Sequence, residues 1–268
     1  MRPIDEQVIL ITGATDGLGR AIAHELAAKG ATLLLHGRSE ERGRQTVAEL
    51  QAKHPGARLF FYRADLARLS EVRELAERVK AAHRKIDVLV NNAGVYPAER
   101  QLSAEGNELG LQVNYLSHVL LTRQLLPLLK AAAPARIVNV ASAGQAPLDF
   151  GDVKLERSYS GGASYQRSKL AQIMFTFDLA DELRGDGITV NALHPATYMP
   201  TKMVVGRFPP TNSVEEGVAA TMRLIASPEL EGVSGKYFYM QRESRAHAQA
   251  YEAKARRQLA ELTERLLS

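Results

Sequence analysis

Short apolar runs recur along the chain, and between them lie longer stretches in which apolar positions return every three or four residues. Val8-Ile9-Leu10-Ile11 is a continuous run, the pattern of a strand covered on both faces. Similar runs at residues 32–36, 59–62, 86–90, 137–140 and 189–193 predict further strands. An alanine-rich stretch after the first run predicts a helix to about Lys29, and others start at about Ser70 and about Glu108. Leu170, Ile173, Met174, Phe177 and Leu179 mark another amphipathic helix, and Leu259, Leu262 and Leu266 a last one from about Arg245. Strand and helix in alternation predict an α/β fold with a doubly wound parallel sheet, helices on both faces. No linker, repeat or low-complexity segment interrupts residues 1–268, so one domain is expected.

The first strand ends in Thr12-Gly13-Ala14-Thr15-Asp16-Gly17-Leu18-Gly19, directly before a helix. Glycines there permit a tight turn and close approach of backbone N–H groups to phosphates at the helix N-terminus, so strand, turn and helix predict a pyrophosphate site. Asp16 carries a charge unfavourable beside a pyrophosphate, and the position before Gly17 suits it as a helix cap. The second strand ends at Gly37-Arg38, where an acidic residue would bind a ribose 2′-hydroxyl. A guanidinium there suits a 2′-phosphate, which predicts NADP(H) as the preferred coenzyme over NAD(H). Asp65, Asn91, Asn92, Ala93 and Gly94 also fall just after strands, where ligands bind such sheets.

Tyr165 and Lys169 are four residues apart in the helix carrying Leu170 to Ala180, so they share one face, about 6 Å apart at Cβ. An ammonium beside a phenol favours its ionised form and brings it towards use as an acid or base near neutrality. A surface tyrosine next to a solvated lysine gives the same spacing. Tyr198 and Lys202 repeat it, but Pro200 between them would break the helix that a shared face requires.

Composition removes several function classes. The chain has no cysteine, which excludes disulfides, thiolate metal sites and cysteine nucleophiles. A net charge of +4 could suggest nucleic acid, yet basic residues are mixed with acids throughout, so no nucleic-acid partner is expected. No basic and apolar leader opens the sequence and no apolar stretch is long enough to cross a bilayer, so a cytoplasmic protein without a membrane partner is expected.

Taken together, the glycine turn, Asp65-Leu66, Asn91-Asn92-Ala93-Gly94, Asn114, Ser142 and the Tyr165/Lys169 pair occur in the order and spacing of the short-chain dehydrogenase/reductase family. The resemblance runs from about Val8 to Tyr239. In detail the chain resembles the retinol dehydrogenase-like branch, through the residues from Val113 to His118, Arg136 to Ser142, Ser168 to Ala171 and Gly235 to Phe238. The resemblance implies a Rossmann-type sheet and hydride exchange between NADP(H) and a carbonyl or alcohol, with no metal. It implies that Ser142 hydrogen-bonds the substrate oxygen, Tyr165 moves the proton, Lys169 holds the ribose and assists Tyr165, and Asn114 positions a water in the proton relay. The coenzyme would lie against Gly13, Thr15, Asp16, Gly17, Leu18, Gly19, Arg38, Asp65, Leu66, Asn92, Ala93, Gly94, Tyr165, Lys169, Pro195 and Thr197. Similar proteins commonly form homodimers or homotetramers.

In the segment from His194 to Thr201, Ala196 replaces a glycine usual in the family, and the segment is one residue longer. Residues 144–162 and 196–212 are expected to be substrate loops, the first with Phe150 and Tyr159 lining the pocket, the second a lid with Met199, Met203 and Phe208 for a partly apolar small molecule. The competing reading is a non-enzymatic dinucleotide-binding regulator, which has no need of Asn114, Ser142, Tyr165 and Lys169 together.

Overall fold

The structure, a computed structural model, describes residues 1–268. Its centre is an eight-stranded sheet in the order β3-β2-β1-β4-β5-β6-β7-β8. The strands are β1 (Val8–Ile11), β2 (Thr32–Gly37), β3 (Arg58–Arg63), β4 (Val88–Asn91), β5 (Ala135–Val140), β6 (Ile188–His194), β7 (Lys236–Tyr239) and β8 (Arg242–Ser244). All neighbours pair in parallel except β7 and β8. The helices are α1 (Gly17–Ala28), α2 (Glu40–Lys53), α3 (Leu69–Ala82), α4 (Leu109–Leu111), α5 (Ser117–Ala132), α6 (Gly161–Glu182), α7 (Val214–Ala226) and α8 (Ala253–Leu267), with a π-helical turn (Gln112–Leu116) joining α4 to α5.

The apolar runs have no polar alternation because both sides of each central strand are covered. Leu10, Leu34, Leu89 and Ile137 face a core under α3, α5 and α6, while their neighbours Ile9, Leu33, Val88 and Val138 face a second core under α1, α2 and α7. Side chains alternate between faces with period two, so each strand feeds both cores at once. No helix is long and apolar enough to cross a membrane.

The C-terminal helix begins at Ala253, not near Arg245. Residues 242–244 instead extend the sheet by an antiparallel strand, exposed at every position, and a 3-10 turn at Ala248–Tyr251 follows. Ala255, Leu259 and Thr263 form the buried stripe of α8, whose Arg256 pairs with Asp178 of α6 at 3.3 Å. The helix docks on the chain itself.

Candidate functional site

Strand order reverses between β1 and β4, and the loops leaving their carboxyl ends diverge to opposite faces of the sheet, which opens a crevice. Four chain segments meet there: the turn after β1, Asn92 to Gly94 after β4, Ser142 after β5 and Pro195 to Thr197 after β6.

The turn after β1 is held as a cradle. Gly13 has φ of +67°, and a Cβ on it would lie 2.9 Å from Ala93 Cα, so an L side chain would be strained and would push the two loops apart. Its N–H donates to His36 Nδ1 at 3.2 Å, while His36 Nε2 faces the Ala64 carbonyl at 3.1 Å. That pairing requires the proton on Nε2. Burial keeps the ring neutral, with its pKa pushed down to about 4. From the other side, Asn92 donates from Nδ2 to the Thr12 carbonyl at 2.8 Å, and Thr12 Oγ1 accepts the N–H groups of Asn92 and Ala93 at 2.9 and 3.0 Å. Leu18 is buried beneath the turn, and Gly19 packs so closely that a Cβ would meet the Gly13 carbonyl oxygen at 2.3 Å. Close packing therefore shapes the turn, and its backbone faces the crevice at the N-terminus of a twelve-residue helix. These features fit a dinucleotide pyrophosphate.

Asp16 caps α1, its carboxylate accepting the Gly17 N–H at 2.9 Å. The same carboxylate lies 2.9 Å from Lys202 and 3.5 Å from Arg42, so its charge is offset from both sides. At the end of β2, Ser39 caps α2 with Arg38 as the residue before it, and the exposed Arg38 guanidinium forms no ion pair. A Cβ on Gly37 would meet Thr15 Cγ2 at 2.6 Å, so a larger residue there would displace the Thr15 side chain. After β3, the Asp65 carboxylate accepts the Ala67 N–H at 3.0 Å and Leu66 is buried.

The chemistry-bearing groups gather on the far side of the crevice. Ser160 caps α6 by accepting the Ala163 N–H at 3.1 Å, which sets Tyr165 on the second turn and Lys169 one turn later. Lys169 Nζ lies 5.8 Å from the Tyr165 ring centre and donates to the Val140 carbonyl at 2.6 Å. Burial lowers the Lys169 pKa to about 7. Ser142 Oγ accepts the Gly144 N–H at 3.0 Å and keeps its own proton for donation towards the Tyr165 oxygen, and its carbonyl is fixed by the Tyr237 hydroxyl at 3.0 Å.

The expectation that the ammonium eases ionisation of the phenol is not met in this state. Burial is the dominant influence and raises the Tyr165 pKa; a hydrogen bond with Ser142 pulls it back, while the Tyr198 and Tyr96 phenols push it up. The ammonium is directed at the Val140 carbonyl instead.

Asn114 lies in the π-helical turn, an insertion that re-aims the backbone and is frequent at functional sites. Its Oδ1 accepts the Val95 N–H at 2.8 Å, and its Nδ2 donates to the Val95 carbonyl at 3.1 Å and to Ser168 Oγ at 2.9 Å. The side chain is therefore committed to tying the loop after β4 to α6.

Tyr165 packs against Tyr96 with ring centres 5.5 Å apart, and Phe208 meets Tyr96 edge-on at 5.8 Å. Tyr198, at a left-handed φ of 46°, stacks on Phe208 at 4.7 Å. Phe150 instead packs on the larger core, and the Tyr159 hydroxyl donates to the Pro97 carbonyl at 2.9 Å; neither stacks with Tyr165. Residues 198–202 form no helix, and Lys202 turns to Asp16. Pro195 and Ala196 are buried, and Ala196 does not adopt a positive φ, so alanine costs no backbone strain there. Thr197 is held by His194 Nε2 at 2.9 Å and by Asn212 Oδ1, which accepts its N–H at 2.9 Å. An open groove of 480 Å³ between α1 and residues 200–205 borders the glycine turn on its outer side.

Sequence reasoning did not single out His36, Gln172 or Tyr96. A polar residue inside a buried-type run is the signal for His36, because a buried imidazole needs partners for both nitrogens. Nothing local marks Gln172 or Tyr96, whose contacts come from distant segments.

Residues 7–211 match the family model described as short chain dehydrogenase. Human retinol dehydrogenase 14 is 35% identical over 289 residues, covering 96% of this chain and 85% of that protein. A protein of Mycobacterium paratuberculosis is 26% identical, with a TM-score of 0.78, over 98% of this chain and 93% of the other. A short chain dehydrogenase from Burkholderia cenocepacia J2315 in complex with NADP is 27% identical, with a TM-score of 0.73, over 89% of this chain and 98% of the other.

Proposed function

Because the chain belongs to the short chain dehydrogenase family, in its retinol dehydrogenase-like branch, we propose that it interconverts a carbonyl and a primary or secondary alcohol with NADP(H) as its coenzyme. The dinucleotide, when bound, supplies or takes the hydride. Gly13 to Gly19 hold its pyrophosphate, Arg38 its 2′-phosphate, Asp65 and Leu66 border its adenine, and Asn92 to Gly94, Pro195 and Thr197 border its nicotinamide end.

In the reducing direction negative charge grows on the substrate oxygen. Ser142 and Tyr165 both donate to that oxygen, and they stabilise it more in the transition state than before it. Tyr165 then gives up its phenolic proton. Its raised pKa keeps that proton in place until the oxygen becomes basic enough to take it. Lys169 orients the ribose and offsets the phenolate that forms. Asn114 acts through its backbone, since its side chain is occupied by Val95 and Ser168. Tyr96, Tyr198, Met203 and Phe208 wall a partly apolar substrate, residues 144–162 and 196–212 serve as substrate loops, and residues 1–268 act as one cytoplasmic unit.

The observation that carries this reading is the meeting of Ser142, Tyr165 and Lys169 beside the cradle at Gly13. The test is NADPH consumption with a panel of aldehydes, ketones and quinones by the protein and by Tyr165→Phe. Turnover is expected in the first and loss of turnover with retained coenzyme binding in the second. Coenzyme binding without turnover on any substrate would favour a regulator instead.

A further inference from the structure

The Lys169 ammonium has three N–H donors. One goes to the Val140 carbonyl at 2.6 Å and a second to Gln172 Oε1 at 3.2 Å, which leaves the third for the side where Gly94 borders the crevice. Gln172 lies on α6 just beyond Lys169 and is fully buried. A buried amide must satisfy both its donors and its acceptor, and these surroundings admit one orientation. Oε1 meets a group that can only donate, while Nε2 faces the Asn91 carbonyl at 3.4 Å and His118 Nδ1 at 3.2 Å. Turning the amide over would set its N–H groups against an ammonium and its oxygen against a carbonyl.

With Nε2 of Gln172 donating, His118 Nδ1 accepts and carries no proton. The ring proton is then on Nε2, 3.3 Å from Thr12 Oγ1, which already accepts the Asn92 and Ala93 N–H groups and so offers it at most a weak third contact. Nδ1 also lies 3.3 Å from the Asn114 carbonyl, a contact that becomes a hydrogen bond only in the other tautomer. Burial, reinforced by the nearby Lys169 charge, pushes the His118 pKa down to about 3, so the ring stays an acceptor near neutrality. A buried chain thus runs from His118 through Gln172 to Lys169.

The other groups facing Lys169 are few. Tyr165 is the titratable neighbour on its own helix and His118 the one from α5. β5 offers the Val140 carbonyl, the loop after β4 offers Gly94, and the π-helical turn offers Asn114. Lys169 forms no ion pair, and burial alone lowers its pKa to about 7. An accepting oxygen beside it therefore acts where small changes alter its charge at working pH.

We propose that Gln172, oriented by His118, is the positioning residue for Lys169: it holds the ammonium between the Tyr165 phenol and the ribose site and favours its protonated form. This rests on the oxidoreductase reading above. The test is the pH dependence of kcat/KM for carbonyl reduction in the wild type, Gln172→Glu and Gln172→Met, with thermal melting and coenzyme binding measured on each. A carboxylate favours the ammonium, and the His118 ring can change tautomer to donate to it. The fall in activity on the basic side, where Lys169 loses its proton, is expected to move up by about one pH unit or more in Gln172→Glu and down by about one in Gln172→Met. Lower activity in both variants with that fall unmoved, or moved the same way, overturns the proposal. Where Gln172→Met does not fold, the near-isosteric Gln172→Glu carries the test, and an unmoved profile overturns it. Tyr165→Phe separates the two ideas: retained turnover there sinks the oxidoreductase reading, whereas lost turnover with an unmoved Gln172→Glu profile sinks only the role of Gln172.

Discussion

Acidification should weaken the fold first and the coenzyme site at lower pH, because three buried imidazoles hold the site's loops. His36 holds Gly13, His118 faces Thr12 and Gln172, and His194 holds Thr197. Burial pushes their pKa values down from 6.5 to about 4, about 3 and about 4. Each ring is neutral in the folded chain and gains a proton more readily in the unfolded one, so its contribution is present above about pH 6.5 and is lost as pH falls towards the folded value. By about pH 5 the loss is about 2 kcal/mol for each ring and about 6 kcal/mol together. A typical domain has only about 5–15 kcal/mol in total. Urea unfolding followed by circular dichroism between about pH 7 and about pH 5 reads this directly, and its slope should correspond to uptake of about three protons on unfolding. NADPH affinity of the folded chain should hold to about pH 5 and fall only below it, towards the folded pKa of about 4, where a protonated His36 no longer accepts the Gly13 N–H. His36→Asn should remove about one proton from the slope. Stability constant to within about 1 kcal/mol over that interval would refute the reasoning.

Further predictions concern single side chains. Gly13→Ala places a Cβ 2.9 Å from Ala93 Cα at a left-handed φ of +67°; it should weaken NADPH binding about tenfold or more by titration calorimetry, since the backbone cost alone is about 1–2 kcal/mol. Arg38→Ala removes a guanidinium that makes no ion pair within the protein, and should lower kcat/KM with NADPH by about tenfold to a hundredfold while leaving that with NADH nearly unchanged. Ser142→Ala should reduce kcat by about a hundredfold or more with unaltered coenzyme affinity in a fluorescence titration.

The sheet was legible in the sequence because burial on both faces leaves uninterrupted apolar runs, and Asp16 was legible as a cap because its partner is the next residue. β8 was not: Arg242, Glu243 and Ser244 are all exposed, so no apolar period marks them, and their pairing with β7 alone makes them a strand. That strand and the 3-10 turn after it delay the last helix to Ala253. In the site, the meeting of Ser142, Tyr165 and Lys169 follows from where strands end and helices begin. The ring of contacts around them does not. His36 acts on a turn 23 residues earlier, Gln172 acts on His118 across 54 residues, and the rings near Tyr165 come from Tyr96, Tyr198 and Phe208 on two separate loops. The phenol's pKa was misjudged for the same reason: spacing along α6 gives the distance to Lys169 but not the burial that outweighs it.

A crystal structure with NADP and an unreactive carbonyl analogue tests the central claim most directly. The account predicts the Tyr165 phenol and the Ser142 hydroxyl both at about 2.6–3.2 Å from the analogue's oxygen, beside the nicotinamide ring, with Lys169 on the ribose. A phenol turned away from that oxygen, or a nicotinamide bound elsewhere, would contradict it.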